Sequence, residues 1–213
     1  LISKLPKLKA LNPPDFRKAM KGKTIVLDIR DYDAYGAQHI ENSFAIDFGG
    51  NFATFAGWVL PPDKNILLVA ANGKQAESAA KWLRRVGLDN VTGFLNGGMF
   101  EWMKAGYEAG HIQQMAPHEI ADAMKTGEYQ IIDVRAENEF NTMRIKGTIN
   151  IPAPETRTRF KEIDKNKDTI LMCTTGHRSS LAASILAQHG FKRLINAAGG
   201  ITGYEAAGLA VEH

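Results

Sequence analysis

The sequence predicts an α/β protein built from two copies of one domain, each a mostly parallel sheet flanked by helices. Three observations predict it. Short apolar runs rich in β-branched residues alternate with helical stretches, the pattern of strand and crossover. "IVLDIRDYDAYGAQHIENSFAI" (Ile25 to Ile46) lines up with "QIIDVRAENEFNTMRIKGTINI" (Gln130 to Ile151) at an offset of 105 residues. Two later blocks repeat in the same order: "NILLVAANGKQAESAAKWLRRVG" with "TILMCTTGHRSSLAASILAQHG", and "NGGMFEWMKAG" with "AGGITGYEAAG". A repeat of about a hundred residues is a duplicated domain rather than a solenoid unit. The copies are placed at residues 1–110 and 113–213.

Within each copy the elements can be read in turn. "TIVLDI" and "YQIIDV" are buried strands. "DYDAYGAQ" and "AENEFNTM" are acidic helical turns. "HIENSFAI" and "RIKGTINI" read as a turn and a second short strand. "NILLVA" and "TILMC" are again buried strands. "SSLAASILAQHG" is a helix that Ser179 or Ser180 can cap, with Leu181, Ile185 and Leu186 on one face and Gly190 at its end. "AESAAKWLRRVG" is its counterpart. A strand, a glycine turn and a last helix follow in "VTGFLNGGMFEWMKAG" and "RLINAAGGITGYEAAG".

The 213 residues carry a net charge of +3. The excess lies in the first half, much of it on Lys4, Lys7 and Lys9. No Lys/Arg block is dense enough to argue for nucleic acid. No apolar run reaches the roughly eighteen residues of a membrane span. A single cysteine excludes an internal disulfide and a Cys-rich zinc site, and it fits a reducing, cytoplasmic compartment. The six histidines are scattered and form no His-rich run. The chain begins at Leu1 rather than Met, so the absence of a visible signal peptide says little about a parent protein.

That cysteine, Cys173, ends a predicted strand and opens the loop "CTTGHRSS". A small buried hydrophobe at a strand end is the bland reading of a lone cysteine. The neighbours argue otherwise. A tight strand-to-helix loop can aim its N–H groups inward as an anion nest, and the helix N-terminus adds partial positive charge. Arg178 adds a full charge, Gly176 lets the loop turn, and Thr174, Thr175, Ser179 and Ser180 offer hydroxyls. Each term favours thiolate over thiol. The expected result is a nucleophilic sulfur cradled for one anionic or electron-rich group.

Cys173, Gly176, Arg178 and Ser179 (C-x-x-G-x-R-S), the block from Gln130 to Pro152 and "AAGGITGY" together resemble the rhodanese family of sulfurtransferases. The likeness covers nearly all of residues 113–213 and, more loosely, the first copy. Met143-Arg144 departs from it, since the family commonly has Gly-His there. The resemblance implies a persulfide mechanism, with Cys173 and Arg178 catalytic and Thr174, Thr175, Gly176, His177 and Ser179 holding the transferred group. It implies a small anionic sulfur donor such as thiosulfate or a low-molecular-weight persulfide, a thiol or cyanide acceptor, and a cycle that needs no metal or organic cofactor. Two rivals are a cysteine phosphatase or arsenate reductase, whose loop has the C-x5-R form against C-x4-R here, and a non-catalytic binding module.

The first copy is read as inactive, with Val69 in place of Cys173, one extra loop residue, and Lys74 in place of Arg178. Its loop at Asn72–Lys74 is read as solvated, with a bound anion as the alternative. The aromatic stretch "GGNFATFAGWVLPPD" has no counterpart in the second copy and is read as packing or an interface. In an inactive domain before an active one, it resembles fusion proteins in which a metallo-β-lactamase-fold persulfide dioxygenase precedes two rhodanese domains. His177 is read as substrate-facing rather than catalytic. Arg157 and Arg159 are read as flanking the pocket or as a solvated turn. Asp133 and Arg135 recur as Asp28 and Arg30, which argues that the pair braces a turn.

Overall fold

The apolar runs form strands of two five-stranded sheets. The computed structural model describes residues 8–213; Lys4 and Lys7 lie outside the described residues. The first copy runs β1 (Lys9–Leu11), α1 (Pro13–Ala19), β2 (Thr24–Asp28), α2 (Tyr32–Ala37), β3 (Phe44–Ala45), α3 (Phe52–Val59), β4 (Asn65–Val69), α4 (Gly73–Arg85), β5 (Val91–Leu95) and α5 (Gly98–Lys104). The second runs β6 (Gln113–Met115), α6 (Pro117–Thr126), β7 (Tyr129–Asp133), α7 (Glu137–Thr142), β8 (Ile149–Asn150), α8 (Thr156–Arg159), β9 (Asp168–Met172), α9 (His177–Gln188), β10 (Leu194–Ala197) and α10 (Gly200–Ala206). The sheet orders are β1-β5-β4-β2-β3 and β6-β10-β9-β7-β8, with every pairing parallel. This is the predicted α/β class, twice.

Two compact units result. One holds the described residues up to Arg30 together with His39–Gly110; the other holds Asp31–Gln38 with His111–His213. The helix α2 thus belongs by sequence to the first copy and by packing to the second unit. It lies against α9 and β6. The Ile112 N–H donates to the Gly36 carbonyl at 2.9 Å. A Cβ at Gly36 would overlap the Gln114 amide nitrogen and lie 3.1 Å from the Ile112 carbonyl, so a side chain here would have to displace the Gln114 amide.

In the second unit the core gathers Ile120, Ile131, Ile145, Ile170, Met172 and Ile201 on one side of the sheet. β9 is central and its last four residues are buried, as expected of a parallel strand covered on both faces. The chain places β8 to one side of β7 and β9 to the other. The loops after β7 and β9 therefore diverge at the carboxyl end of the sheet, where open α/β folds bind ligands. The turn after β7 is braced as its repetition suggested. Arg135 donates to both carboxylate oxygens of Asp133 and to the Met143 carbonyl at 2.6 Å. Arg30 forks onto Asp28 in the first copy.

The start of α9 differs from the expectation, whereas Leu181, Ile185 and Leu186 are buried as read. Its N-cap is Gly176, not Ser179 or Ser180, so the helix starts directly after the loop. Its burial is also wider than one face. Every residue from Ser179 to Leu186 is buried, because α2, α8 and the turn at Ala153–Glu155 pack on the helix besides β9 and β10. In α3, Phe52 is buried and meets the Phe48 ring, whereas Trp58 is 53% exposed.

Candidate active site

The Cys173 residue is 1% exposed and sits at the end of β9. The Gly176 N–H donates to its sulfur at 3.1 Å and the Ser179 hydroxyl at 3.4 Å. Both donors come from the start of α9, whose first-turn N–H groups have no helical partner. Negative charge on the sulfur would be shared by these donors and by the positive end of the helix. Gly176 has φ +110°, a conformation that side chains strongly disfavour. Thr175 and His177 on either side of it are exposed.

The opposite wall is the Gly199-Gly200 turn. The Ile201 N–H donates to the Cys173 carbonyl at 2.8 Å and the Thr202 N–H to the Thr174 carbonyl at 3.1 Å. A Cβ at Gly200 would overlap the Cys173 carbonyl oxygen, so that glycine is what lets the turn clasp the loop.

The Arg178 charge is not left to the sulfur alone. Its guanidinium forks onto Glu139 of α7 at 2.5 and 2.7 Å and donates to the Thr174 hydroxyl at 2.5 Å. Thr174 in turn donates to Glu139 at 3.2 Å. The Arg178 hydrogen bonds hold the Glu139 carboxyl down at about 2, well below its ordinary range. Arg178 thus ties the loop to α7 besides contributing charge.

A family model described as the rhodanese-like domain matches residues 12–105 and again 116–207. The chain belongs to the rhodanese-like domain family. Thiosulfate sulfurtransferase PspE of Escherichia coli is 34% identical over 70 residues, which are 32% of this chain and 67% of the relative. A tRNA uridine(34) hydroxylase of Hamiltonella defensa is 31% identical over 99 residues, 43% of this chain but 28% of the hydroxylase. The chain thus spans well under half of some curated relatives it matches. The crystal structure of a thiosulfate sulfurtransferase from Pseudomonas aeruginosa aligns with 97% of this chain and 44% of its own, at 23% identity and a TM-score of 0.45.

In the first rhodanese-like domain the strand register moves the counterpart of the cysteine by one residue from the expected position. Asp28 pairs with Val69, and its repeat Asp133 pairs with Met172. The counterpart of Cys173 is therefore Ala70, not Val69. The loop is also one residue shorter than its partner, not longer: α4 starts three residues after Ala70, and α9 four after Cys173. Lys74 and Arg178 both stay second in their helices. The loop is filled from within. Asn72 accepts from the Gln75 N–H at 3.0 Å, and Gln75 accepts from the Ala71 N–H at 2.8 Å. Side-chain oxygens occupy the donors that an anion would use.

Of the residues read from the sequence, Gly176 and Ser179 donate to Cys173, and Arg178 donates to Thr174 in a second set of hydrogen bonds on the same loop. His177 meets the Tyr32 ring edge-on at 5.0 Å. Arg159 is bound to Glu155 and Glu162, and Arg157 to the Pro154 carbonyl at 3.3 Å, so both belong to the α8 turn. Sequence reasoning missed Glu139 and Tyr32. For Glu139 a signal existed, since the 105-residue offset puts Ala34 in its place in the copy without the cysteine. Among the described residues no cluster of His, Cys, Asp and Glu could hold a metal ion, and no helix is long and apolar enough to cross a membrane.

Proposed function

We propose that this chain is a sulfurtransferase that carries sulfane sulfur as a Cys173 persulfide in its second rhodanese-like domain, the first domain being inactive. The observation that carries the reading is the buried Cys173 sulfur receiving the Gly176 N–H and the Ser179 hydroxyl at the head of α9. In the first half-reaction the Cys173 thiolate attacks the outer sulfur of thiosulfate. A sulfur–sulfur bond to Cys173 forms as the donor's breaks, and the electron pair leaves with sulfite. The terminal sulfur of Cys173-S-S⁻ carries charge that the loop N–H groups can share. In the second half-reaction cyanide or a thiolate attacks that outer sulfur and Cys173 leaves as thiolate. The cycle is a transfer without net oxidation, and a low-molecular-weight persulfide serves as donor by the same steps. Thr174, Thr175, His177 and Ser179 line the route as binding groups, and Arg178 keeps the loop in shape through Glu139.

Thiosulfate and cyanide supply the test. Thiocyanate should form with the wild type and fall to background in Cys173→Ser, and intact mass should rise by one sulfur on Cys173, removable by reductant. Inertness to every sulfur donor would support a binding module instead, and turnover of an aryl phosphate a phosphatase. A metallo-β-lactamase-fold dioxygenase in the parent protein rests on sequence resemblance alone, and the full-length reading frame tests it.

A further inference from the structure

The helix α2 comes from the copy without the cysteine, yet its first residue stands over the loop that has one. The Tyr32 ring covers Gly176 so closely that a Cβ there would lie 3.0–3.2 Å from Cζ, Cε2 and Cε1. The ring also meets the exposed His177 at 5.0 Å with the planes at 84°. Gly176 is the residue whose N–H is on the Cys173 sulfur. It is buried, although Thr175 and His177 beside it are exposed. Tyr32 is held there, because Gly36 one turn later docks on Ile112 and Gln114 of the same unit. The corresponding residue of α7, by the 105-residue offset, is Glu137, so the scaffold itself does not require an aromatic ring at this point.

We propose that Tyr32 is a specificity-determining residue of the sulfur-transfer loop, its ring narrowing the approach to Cys173 so that slim sulfur carriers such as thiosulfate pass and bulky thiol persulfides are disfavoured. The proposal rests on the sulfurtransferase reading of the same loop. A ring that covers one side of the loop discriminates by shape, and differences of this kind are typically worth ten- to a hundredfold in kcat/KM.

The test compares kcat/KM for thiosulfate and for glutathione persulfide, with cyanide as acceptor, in wild type, Tyr32→Ala, Tyr32→Phe and Tyr32→Trp. In Tyr32→Ala the persulfide-to-thiosulfate ratio should rise about tenfold. Tyr32→Phe keeps the ring and should hold the wild-type ratio, and Tyr32→Trp should lower it. If alanine prevents folding, the tryptophan variant carries the same question in the opposite direction. A ratio that ignores ring size overturns the proposal. Alkylation of Cys173 by iodoacetamide against a fluorescein maleimide asks the question without turnover, and the ratio of bulky to small reagent should rise about tenfold in Tyr32→Ala. A shifted alkylation ratio in a protein that transfers no sulfur would sink the sulfurtransferase reading and leave the gate. Active transfer with both ratios fixed would sink the gate alone.

Discussion

Glu139 is the residue on which the loop's charge balance turns. Its carboxyl is held at about 2 chiefly by hydrogen bonds from Arg178. A carboxylate whose folded value lies below its unfolded value stabilises the fold above the unfolded value of about 4.3, and that stabilisation is lost as pH falls through the folded value. The Glu139 side chain is 35% exposed, so solvent screens the pair and the contribution is about 1 kcal/mol. Glu139→Gln should therefore lower unfolding free energy by about 1 kcal/mol at pH 7. The gap to wild type should shrink below pH 4 and close near pH 2. Urea melts across that range measure it, and a gap that stays constant would mean that the ion pair contributes nothing.

At the scale of elements, α7 and the loop after β9 form one assembly, and Arg135 is its inner anchor. Its side chain is 3% exposed and Asp133 beside it 1%, and its guanidinium also reaches the Met143 carbonyl. Removing one member of a buried pair leaves the other charge uncompensated, at a cost of about 3–5 kcal/mol. Arg135→Ala should lose that much stability in denaturant melts, whereas a loss below about 1 kcal/mol would place the pair among weak surface bridges. This level was readable in part. The pairing of Asp and Arg two residues apart, repeated in both copies, pointed to a brace, and the buried strands were plain from their β-branched runs. The three-residue strands "KAL" and "QQM" were not, being too short and, in the second case, too polar to carry a pattern. The start of α9 was misplaced because serine is a good cap by type; here Ser179 sits in the first turn and turns its hydroxyl to the sulfur. Glu139 and Tyr32 act through tertiary contacts that no local periodicity encodes.

For the whole molecule, the duplication separates scaffold from chemistry. The repeat itself was legible, and so were the loss of the cysteine in one copy and the order of elements. The alignment of the two loops slipped by a residue because Val69 and Ala70 are both small and apolar, and only the strand ladder fixes which of them faces the position of Cys173. The corrected register gives a prediction about what the first domain lacks. If the cysteine alone were missing, Ala70→Cys would, on the proposed function, create a second site able to carry sulfur. The loop is one residue shorter, however, and the Asn72 and Gln75 side chains already occupy its Gln75 and Ala71 N–H groups. Ala34 also stands where Glu139 anchors Arg178, so Lys74 has no equivalent carboxylate from that helix position. Cys173→Ser/Ala70→Cys should therefore make no thiocyanate above the Cys173→Ser background and should take up no sulfur mass from thiosulfate. Adding one loop residue and removing both capping side chains is the further step that the comparison calls for. Sulfur uptake by the simple Ala70→Cys variant would mean that a thiol at the strand end suffices, and that the donors around Cys173 are not needed for the carrier role proposed for it.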